Sequence, residues 1–341
     1  MAKATKTTVS VRYPPLIVAA TTALLGTLIG VALTSLAPIP GVVDPGTVVL
    51  VAIPVVRVLL NIAAVATIGL SLLSVLVGHD RPTLSEPILV IARRAAVVSS
   101  LIWSVSALVA LILQTAEFQV RSSTIRFGDV WAYVVRIGAG KALLIVAVLA
   151  LVHTALGVLA LRYGEKVPAE ARVGLGLFAL LPLPVTGHAS NWVYHDYTMI
   201  SIELHVMSAV AWTGGLGAMA VLLAGNRALL AQALPKFSRL ATVCLLVSVA
   251  TGLFNGIVEI QRNPTMTFWQ GLFGTPYGQL VIGKLLCVCA IAVIGARMRW
   301  RLLPHIAAHK RTAFVGWATL ELAIMGLAFG FAVVLTRAPV A

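Results

Sequence analysis

Residues 47–77 read TVVLVAIPVVRVLLNIAAVATIGLSLLSVLV, and this stretch decides the fold class of the chain. It is longer than the roughly 20 apolar residues with which a helix crosses a bilayer, and Arg57 is its only charged residue. Its apolar residues are continuous, whereas the strands of a membrane β-barrel alternate apolar and polar residues. The stretch therefore predicts a transmembrane helix.

Similar apolar runs recur along the whole chain. The 341 residues are 60% hydrophobic and 11% charged, with a mean hydropathy of +1.00, whereas soluble domains carry about 25% charged residues. We therefore predict an all-α, polytopic transmembrane helical bundle that is surrounded by the lipid bilayer of the cell membrane. Nine spans are predicted, at residues 14–36, 47–77, 88–115, 137–162, 171–189, 198–224, 234–259, 275–298 and 313–337.

The net charge of +14 comes from Lys and Arg residues that lie mainly between the apolar runs rather than in a separate basic domain. We therefore expect no nucleic-acid partner. Alternate loops are rich in these residues, starting with Lys3, Lys6 and Arg12, and such loops face the cytoplasm. The pattern predicts a cytoplasmic N-terminus, a C-terminus outside, and an outer position for the join between the fifth and sixth spans.

That join holds three of the seven histidines, His188, His195 and His205. Met199 and Met207 lie in the sixth span with His205. Imidazole and thioether groups together suit copper, whereas zinc accepts imidazole with carboxylate. The residue types indicate a metal-binding site at the outer mouth of the bundle.

Two prolines, Pro182 and Pro184, precede His188. Proline removes a backbone donor and clashes with the preceding turn of a helix. We therefore predict that the fifth span breaks near its outer end, with His188 at the mouth of the resulting gap.

The sixth span has two polar faces. His205 shares one face with Ser201, Ser208 and Trp212, because residues three, four and seven positions apart are neighbours on a helix. Glu203 lies on the nearly opposite side, in the stripe that holds the two methionines.

A further polar stripe runs along the seventh span, with members at Ser248, Thr251, Asn255 and Glu259. Such a stripe either joins helices or lines an ion path, and the sequence leaves both open. Tyr277 and Lys284 share one face of the eighth span, and a lysine inside a membrane needs a partner. We expect an ion pair between Lys284 and one of three glutamates: Glu203, Glu259 or Glu321.

The sequence contains no phosphate-binding loop, hydrolytic triad or dinucleotide fingerprint, so we expect that the protein is not an enzyme. The histidines allow one alternative, a b-type membrane cytochrome, in which two imidazoles on facing helices hold a haem. His153 lies nearer the inner face than His205, so this pair matches poorly in depth.

Four short segments in the C-terminal half resemble the copper resistance protein D (CopD) family. They are Thr186-Gly187-His188-Ala189, then His205 with Ala211-Trp212-Thr213-Gly214-Gly215-Leu216, then Phe237-Ser238-Arg239-Leu240-Ala241 with Thr251-Gly252, then Thr275-Pro276-Tyr277-Gly278-Gln279-Leu280 with Lys284. Their order and spacing fit the family over residues 171–335.

The resemblance implies a multi-pass protein of the bacterial plasma membrane that takes up copper from the outer side, with His188 and His205 as copper ligands. We add His195, Met199 and Met207 from their local chemistry. Gly214 and Gly215 are small enough to let helix backbones approach closely. The residues expected to form a path or gate are Glu203, Asn255, Glu259, Tyr277 and Lys284.

We divide the chain into an N-terminal four-helix region, residues 1–170, and a CopD-like five-helix domain, residues 171–341. Some relatives carry a fused CtaG-type domain for cytochrome oxidase assembly. The expected partners are therefore copper, a periplasmic or extracellular copper chaperone, or such an assembly domain. The alternative function within the family is delivery of copper to the oxidase without transport.

Overall fold

The structure is a computed structural model. It describes residues 12–34, 46–78, 80–119, 124–186, 195–262, 264–302, 304–305 and 313–336. Within these residues all regular secondary structure is helical. The helices are α1 (Pro14–Thr34), α2 (Thr47–Val77), α3 (Pro82–Phe118), α4 (Phe127–Arg136), α5 (Gly138–Tyr163), α6 (Ala169–Phe178), α7 (His195–Leu222), α8 (Arg227–Ile260), α9 (Phe268–Gly274), α10 (Pro276–Arg297) and α11 (Phe314–Leu335).

Nine segments of the described chain are helical, long and apolar enough to cross a membrane, which confirms the predicted fold class. The predicted bounds of α2 are those of the structure, whereas α3 is longer than the predicted 88–115. It starts at Pro82, because proline is well tolerated in the first turn of a helix. Large side chains such as Leu28, Leu246 and Leu286 are exposed on the bundle, as expected where lipid replaces water.

The predicted break in the fifth span is confirmed. The regular helix α6 ends at Phe178, and the chain continues through turns into a short 3₁₀ helix, Leu183–Thr186. Arg57 of α2 holds this segment, since its Nη1 donates a hydrogen bond of 2.7 Å to the Thr186 hydroxyl. Thr186 lies two residues before His188, so Arg57 fixes the start of the outer join.

Helix α2 is central to the bundle and contacts α3, α6, α7, α8 and α11. Its residues near Leu72 share a hydrophobic cluster with α7 and α8. Its residues near Leu60 share another with α3 and α5. The two halves of the chain therefore meet along α2.

Glycines allow α1 to lie directly against α11, at the other end of the sequence. A Cβ atom on Gly26 would lie 2.5 Å from the carbonyl oxygen of Leu327, and one on Gly330 would lie 2.6 Å from the amide nitrogen of Thr27. Small residues drive such close contacts in membranes because apolar side chains gain nothing by leaving lipid. Helix α1 thus packs mainly on the C-terminal helix.

Close backbone contacts at glycines also join α7 to α2. A Cβ atom on Gly214 would lie 3.0 Å from the Cα of Gly69, and it would also meet the carbonyl oxygen of Val65. A Cβ atom on Gly215 would lie 2.8 Å from the Phe237 ring of α8. The packing role predicted for Gly214 and Gly215 is confirmed.

Two short helices, α4 and α9, lie in loops that we placed on the outer side, and the sequence reading missed both. The Arg126 amide donates a 2.9 Å hydrogen bond to the Asp129 carboxylate at the start of α4, and this bond holds the pKa of Asp129 below its usual value. Trp131 of α4 and Trp269 of α9 are exposed. Tryptophan is enriched at membrane–water interfaces, so the two helices fit an interfacial position.

The Gly214 contact can be tested by adding one methyl group. We expect Gly214→Ala to lower the free energy of unfolding by about 1–3 kcal/mol, because the new Cβ overlaps the backbone of α2. Gly217→Ala in the same helix is the control, since its Cβ would have no neighbour nearer than Leu322 at 3.9 Å. Thermal unfolding in detergent measures both, and equal midpoints would contradict the close contact.

Candidate functional site

His205 of α7 packs its ring against α8. Its Nδ1 lies 3.1 Å from the carbonyl oxygen of Ser248 and 3.1 Å from the hydroxyl of Thr251. Gly252 makes room for the ring, because a Cβ there would lie 3.2 Å from the Cε1 of His205. The imidazole is therefore held between two oxygen atoms and the bare backbone of α8.

These contacts fix the position of the hydrogen on the ring. A carbonyl oxygen only accepts hydrogen bonds, so Nδ1 of His205 must donate to Ser248. The Thr251 hydroxyl donates to the Val247 carbonyl at 2.6 Å. In the neutral imidazole the free lone pair is then on Nε2, which has no hydrogen-bond partner in the described part of the chain. Metal-binding histidines are commonly oriented in this way.

Hydrogen bonds on either side extend the α7–α8 contact. The Ser201 hydroxyl donates to the Thr251 carbonyl at 3.4 Å, and the hydroxyls of Ser208 and Ser248 lie 2.8 Å apart. The predicted face with Ser201, His205 and Ser208 is confirmed. The inner half of the α8 stripe thus joins two helices.

Trp212 shares that predicted face but lies deeper, beside α11. Its indole lies near the buried carboxyl of Glu321, but the indole nitrogen makes no hydrogen bond within the described residues. The next residue, Thr213, donates a 3.3 Å hydrogen bond to the sulfur of Met325. The motif around Trp212 therefore packs α7 against its neighbours.

Lys284 of α10 is the charged residue that acts on His205 across the bundle. The predicted ion pair of Lys284 is wrong for the described residues, where it has no salt bridge or hydrogen bond. Glu259 instead bonds Arg262 at 2.8 Å, and Glu321 faces Trp212. Glu259 and Glu321 thus interact with residues other than Lys284.

The outer half of the α8 stripe differs from the inner half. The Oδ1 of Asn255 is buried and has no hydrogen-bond partner within the described residues. One turn further out, Glu259 and Arg262 interact with the buried Tyr277 of α10. Unpaired and charged groups thus lead from Tyr277 along α8 towards His205.

Of the other predicted ligands, the structure describes the side chains of Met199 and Met207 only. His188 lies outside the described residues, and the side chain of His195 is likewise not described. Met207 packs against the hydrophobic cluster around Leu60. Met199 is partly buried, six residues or about 9 Å along the helix from His205.

Glu203 is also partly buried, and the described residues offer it no hydrogen bond. Within the described ranges, no three His, Cys, Asp or Glu side chains form a group that could hold a metal ion. The prediction of a ligand set around His188 stays a prediction.

His153 occupies a different part of the bundle. Its ring is fully buried, and Nε2 lies 3.3 Å from the Ser71 hydroxyl of α2. The His205 ring faces α8. Because the two imidazoles face different helices, the geometry does not favour a haem held between them.

The role of Gly252 was not recognised from the sequence and is testable. We expect Gly252→Ala to push the His205 ring by a few tenths of an ångström, since the Cβ would lie 3.2 Å from Cε1. The imidazole ¹⁵N shifts of histidine-labelled protein should report a weakened Nδ1 hydrogen bond. Gly256→Ala is the control, because its Cβ would lie an ordinary 3.5 Å from Val281. Unchanged shifts in Gly252→Ala would show that the ring is not held there.

Two family profiles match the chain. The profile of "Copper resistance protein D-like, N-terminal domain" matches residues 44–195, and the profile of "Copper resistance protein D" matches residues 231–335. In the first of these ranges, the sequence motifs of the family were found only near the end. The predicted boundary at residue 170 falls within the first profile and stays a prediction. Comparisons with curated proteins and with solved structures gave no significant match.

Helices α2 to α6 thus lie within one profile, and α10 and α11, with most of α8, within the other. Both profiles describe parts of the same kind of protein and together they cover most of the chain. The protein therefore belongs to the copper resistance protein D family, whose role is the handling of copper at the membrane.

Proposed function

We propose that the protein carries copper from the outer face of the membrane inward, with His205 as a ligand inside the bundle. The orientation of the His205 ring is the main support. Its Nδ1 hydrogen is held by the Ser248 carbonyl, so the lone pair of Nε2 is free to bind copper.

The proposed route begins at the outer join. His188, together with His195 and Met199, captures copper where the fifth span is interrupted. The ion then passes to His205, and the outer half of the α8 stripe lines the way with Asn255 and Glu259. Tyr277 and Lys284 of α10 form the facing wall, and the positive charge of Lys284 opposes a resident cation. A weak rather than permanent site suits a protein that releases its cargo.

In this proposal the protein is a transporter and not an enzyme, because no bond of a substrate is made or broken. The sequence has no nucleotide-binding motif, so movement follows the copper gradient or another ion gradient.

The ligand role of His205 can be measured directly. We expect His205→Ala to weaken copper binding by purified protein at least tenfold, because a ligand with a fixed orientation is lost. His305→Ala is the matched control, since His305 is exposed and lies on the predicted cytoplasmic side. Competition with a copper chelator gives the affinities. Equal binding by both variants would remove His205 from the site.

Transport and delivery are separated by flux. In vesicles that contain purified protein, we expect copper to enter with wild-type protein and with His305→Ala, but not with His205→Ala. Binding without flux would contradict transport and favour delivery to an oxidase assembly factor or a chaperone.

A further inference from the structure

A second polar site lies in the N-terminal half, where α2, α3, α5 and α6 meet, and the copper route does not use it. Four side chains define this site, which we call the arginine cluster: Ser74, Arg93, His153 and Arg172. Their exposed fractions are 1%, 3%, 0% and 2%, so the cluster is enclosed by protein. It lies in the half of the membrane that the basic loops assign to the cytoplasm.

The cluster holds unpartnered polar atoms, and most of them are hydrogen-bond donors. The Nε and Nη1 atoms of Arg172, the Nε of Arg93, the Nδ1 of His153 and the hydroxyl of Ser74 are all buried without a partner in the described chain. Most of the unpartnered buried side-chain atoms of the described residues thus lie in this one place. Buried polar groups are normally hydrogen-bonded, so such a concentration requires an explanation.

The charges are also unbalanced. Arg93 is paired with Glu86 through hydrogen bonds of 2.6 and 3.3 Å. Among the described residues, Arg93 repels Arg172 and the exposed Glu170 attracts it, and Arg172 also acts on His153. Within the described residues, the Arg172 guanidinium therefore has no contacting carboxylate. A buried charge without a partner is very costly.

His153 completes one wall of the cluster. The Ser71 hydroxyl donates to the Thr67 carbonyl at 2.9 Å, so Ser71 can only accept from the His153 Nε2. The unpartnered Nδ1 is accordingly an acceptor, or a donor if the ring binds a proton. The ring can thus contact either a protonated or a fully ionised oxyanion.

We propose that the arginine cluster binds an oxyanion of the phosphate class. The Nε and Nη1 of Arg172 form a planar fork that matches phosphate oxygens, the Nε of Arg93 adds a third donor, and Ser74 adds a hydroxyl. The anion supplies the acceptors and the negative charge that Arg172 lacks. Inorganic phosphate and the phosphate of an anionic lipid headgroup share this chemistry, and basic pockets between membrane helices bind anionic lipid head groups.

Glu86 connects the cluster with the surface. Its side chain is 40% exposed, and it lines an open cavity of about 460 Å³ together with Pro82, Thr83, Pro87 and Val90. Because Glu86 holds both terminal nitrogens of Arg93, it competes with an incoming anion for that arginine. Removing the charge of Glu86 should therefore strengthen anion binding.

The test uses full-length protein in a non-ionic detergent and measures the affinity for inorganic phosphate by calorimetry, at constant ionic strength set with chloride. We expect saturable binding by wild type. Arg172→Gln should weaken it about 10- to 100-fold, the usual effect of losing a charged hydrogen-bond partner. Glu86→Gln should strengthen it about tenfold or more. Arg94→Gln, an exposed arginine beside Arg93, should bind as wild type.

Arg172→Gln should lower the affinity for phosphate, whereas Glu86→Gln should raise it. A merely structural role of the two residues would instead destabilise the protein in both variants. A second arm uses native mass spectrometry of protein from bilayers that contain phosphatidylglycerol. A retained phospholipid that is lost in Arg172→Gln would identify the headgroup as the source. The absence of both phosphate binding and a retained lipid in wild type would overturn the proposal, as would equal affinities in all four proteins. Neither result bears on the proposal that His205 binds copper.

Discussion

A bilayer offers no water to hydrogen-bond, so each polar group inside it must find a partner within the protein. The hydrogen bond from His205 to the Ser248 carbonyl satisfies this constraint and has a chemical consequence. It occupies one nitrogen of the ring, fixes the tautomer, and leaves the lone pair of the other nitrogen free. The bond exists only because α8 is bare at Gly252, where any side chain would crowd the ring.

The same constraint explains the division of the bundle. Helix α2 is in contact with both halves, and Gly69 and Gly214 bring its backbone against α7. On one side of this contact, the α7–α8 interface has nearly all its hydroxyls paired. On the other side, the arginine cluster keeps buried donors that have no acceptor in the described chain. The two places therefore pose different physical problems, one of orienting an imidazole ring and one of balancing a charge.

Much of the fold could be predicted from the sequence, since apolar length determines a membrane span with little help from tertiary contacts. The nine spans and the break before His188 follow from hydropathy and from Pro182 and Pro184. Helices α4 and α9 were missed because they are too short for a hydropathy signal. Their signal was local: Asp129 at the third helical position of α4, and Thr267 with Gln270 at the start of α9, where the Gln270 amide donates to the Thr267 hydroxyl.

The site was harder to predict because periodicity shows which residues share a face but not which helix that face meets. The face of His205 was predicted, whereas its contact with Ser248 needed the packing of α7 on α8. The expected ion pair of Lys284 failed for the same reason. Glu259 is bonded by Arg262 in the next turn, and Glu321 is turned towards Trp212. Charge alone could not assign these partners, since each depends on how α10 and α11 are rotated.

The two intramembrane histidines show how environment separates similar residues. The His153 ring is fully buried, and its Nε2 hydrogen-bonds with the Ser71 hydroxyl. His205 is only partly buried, and it keeps Nε2 for another partner. Depth in the membrane does not distinguish them as well as the hydrogen bond that each ring makes. Each ring keeps one unused nitrogen, but the His153 ring is fully buried, whereas His205 is partly exposed.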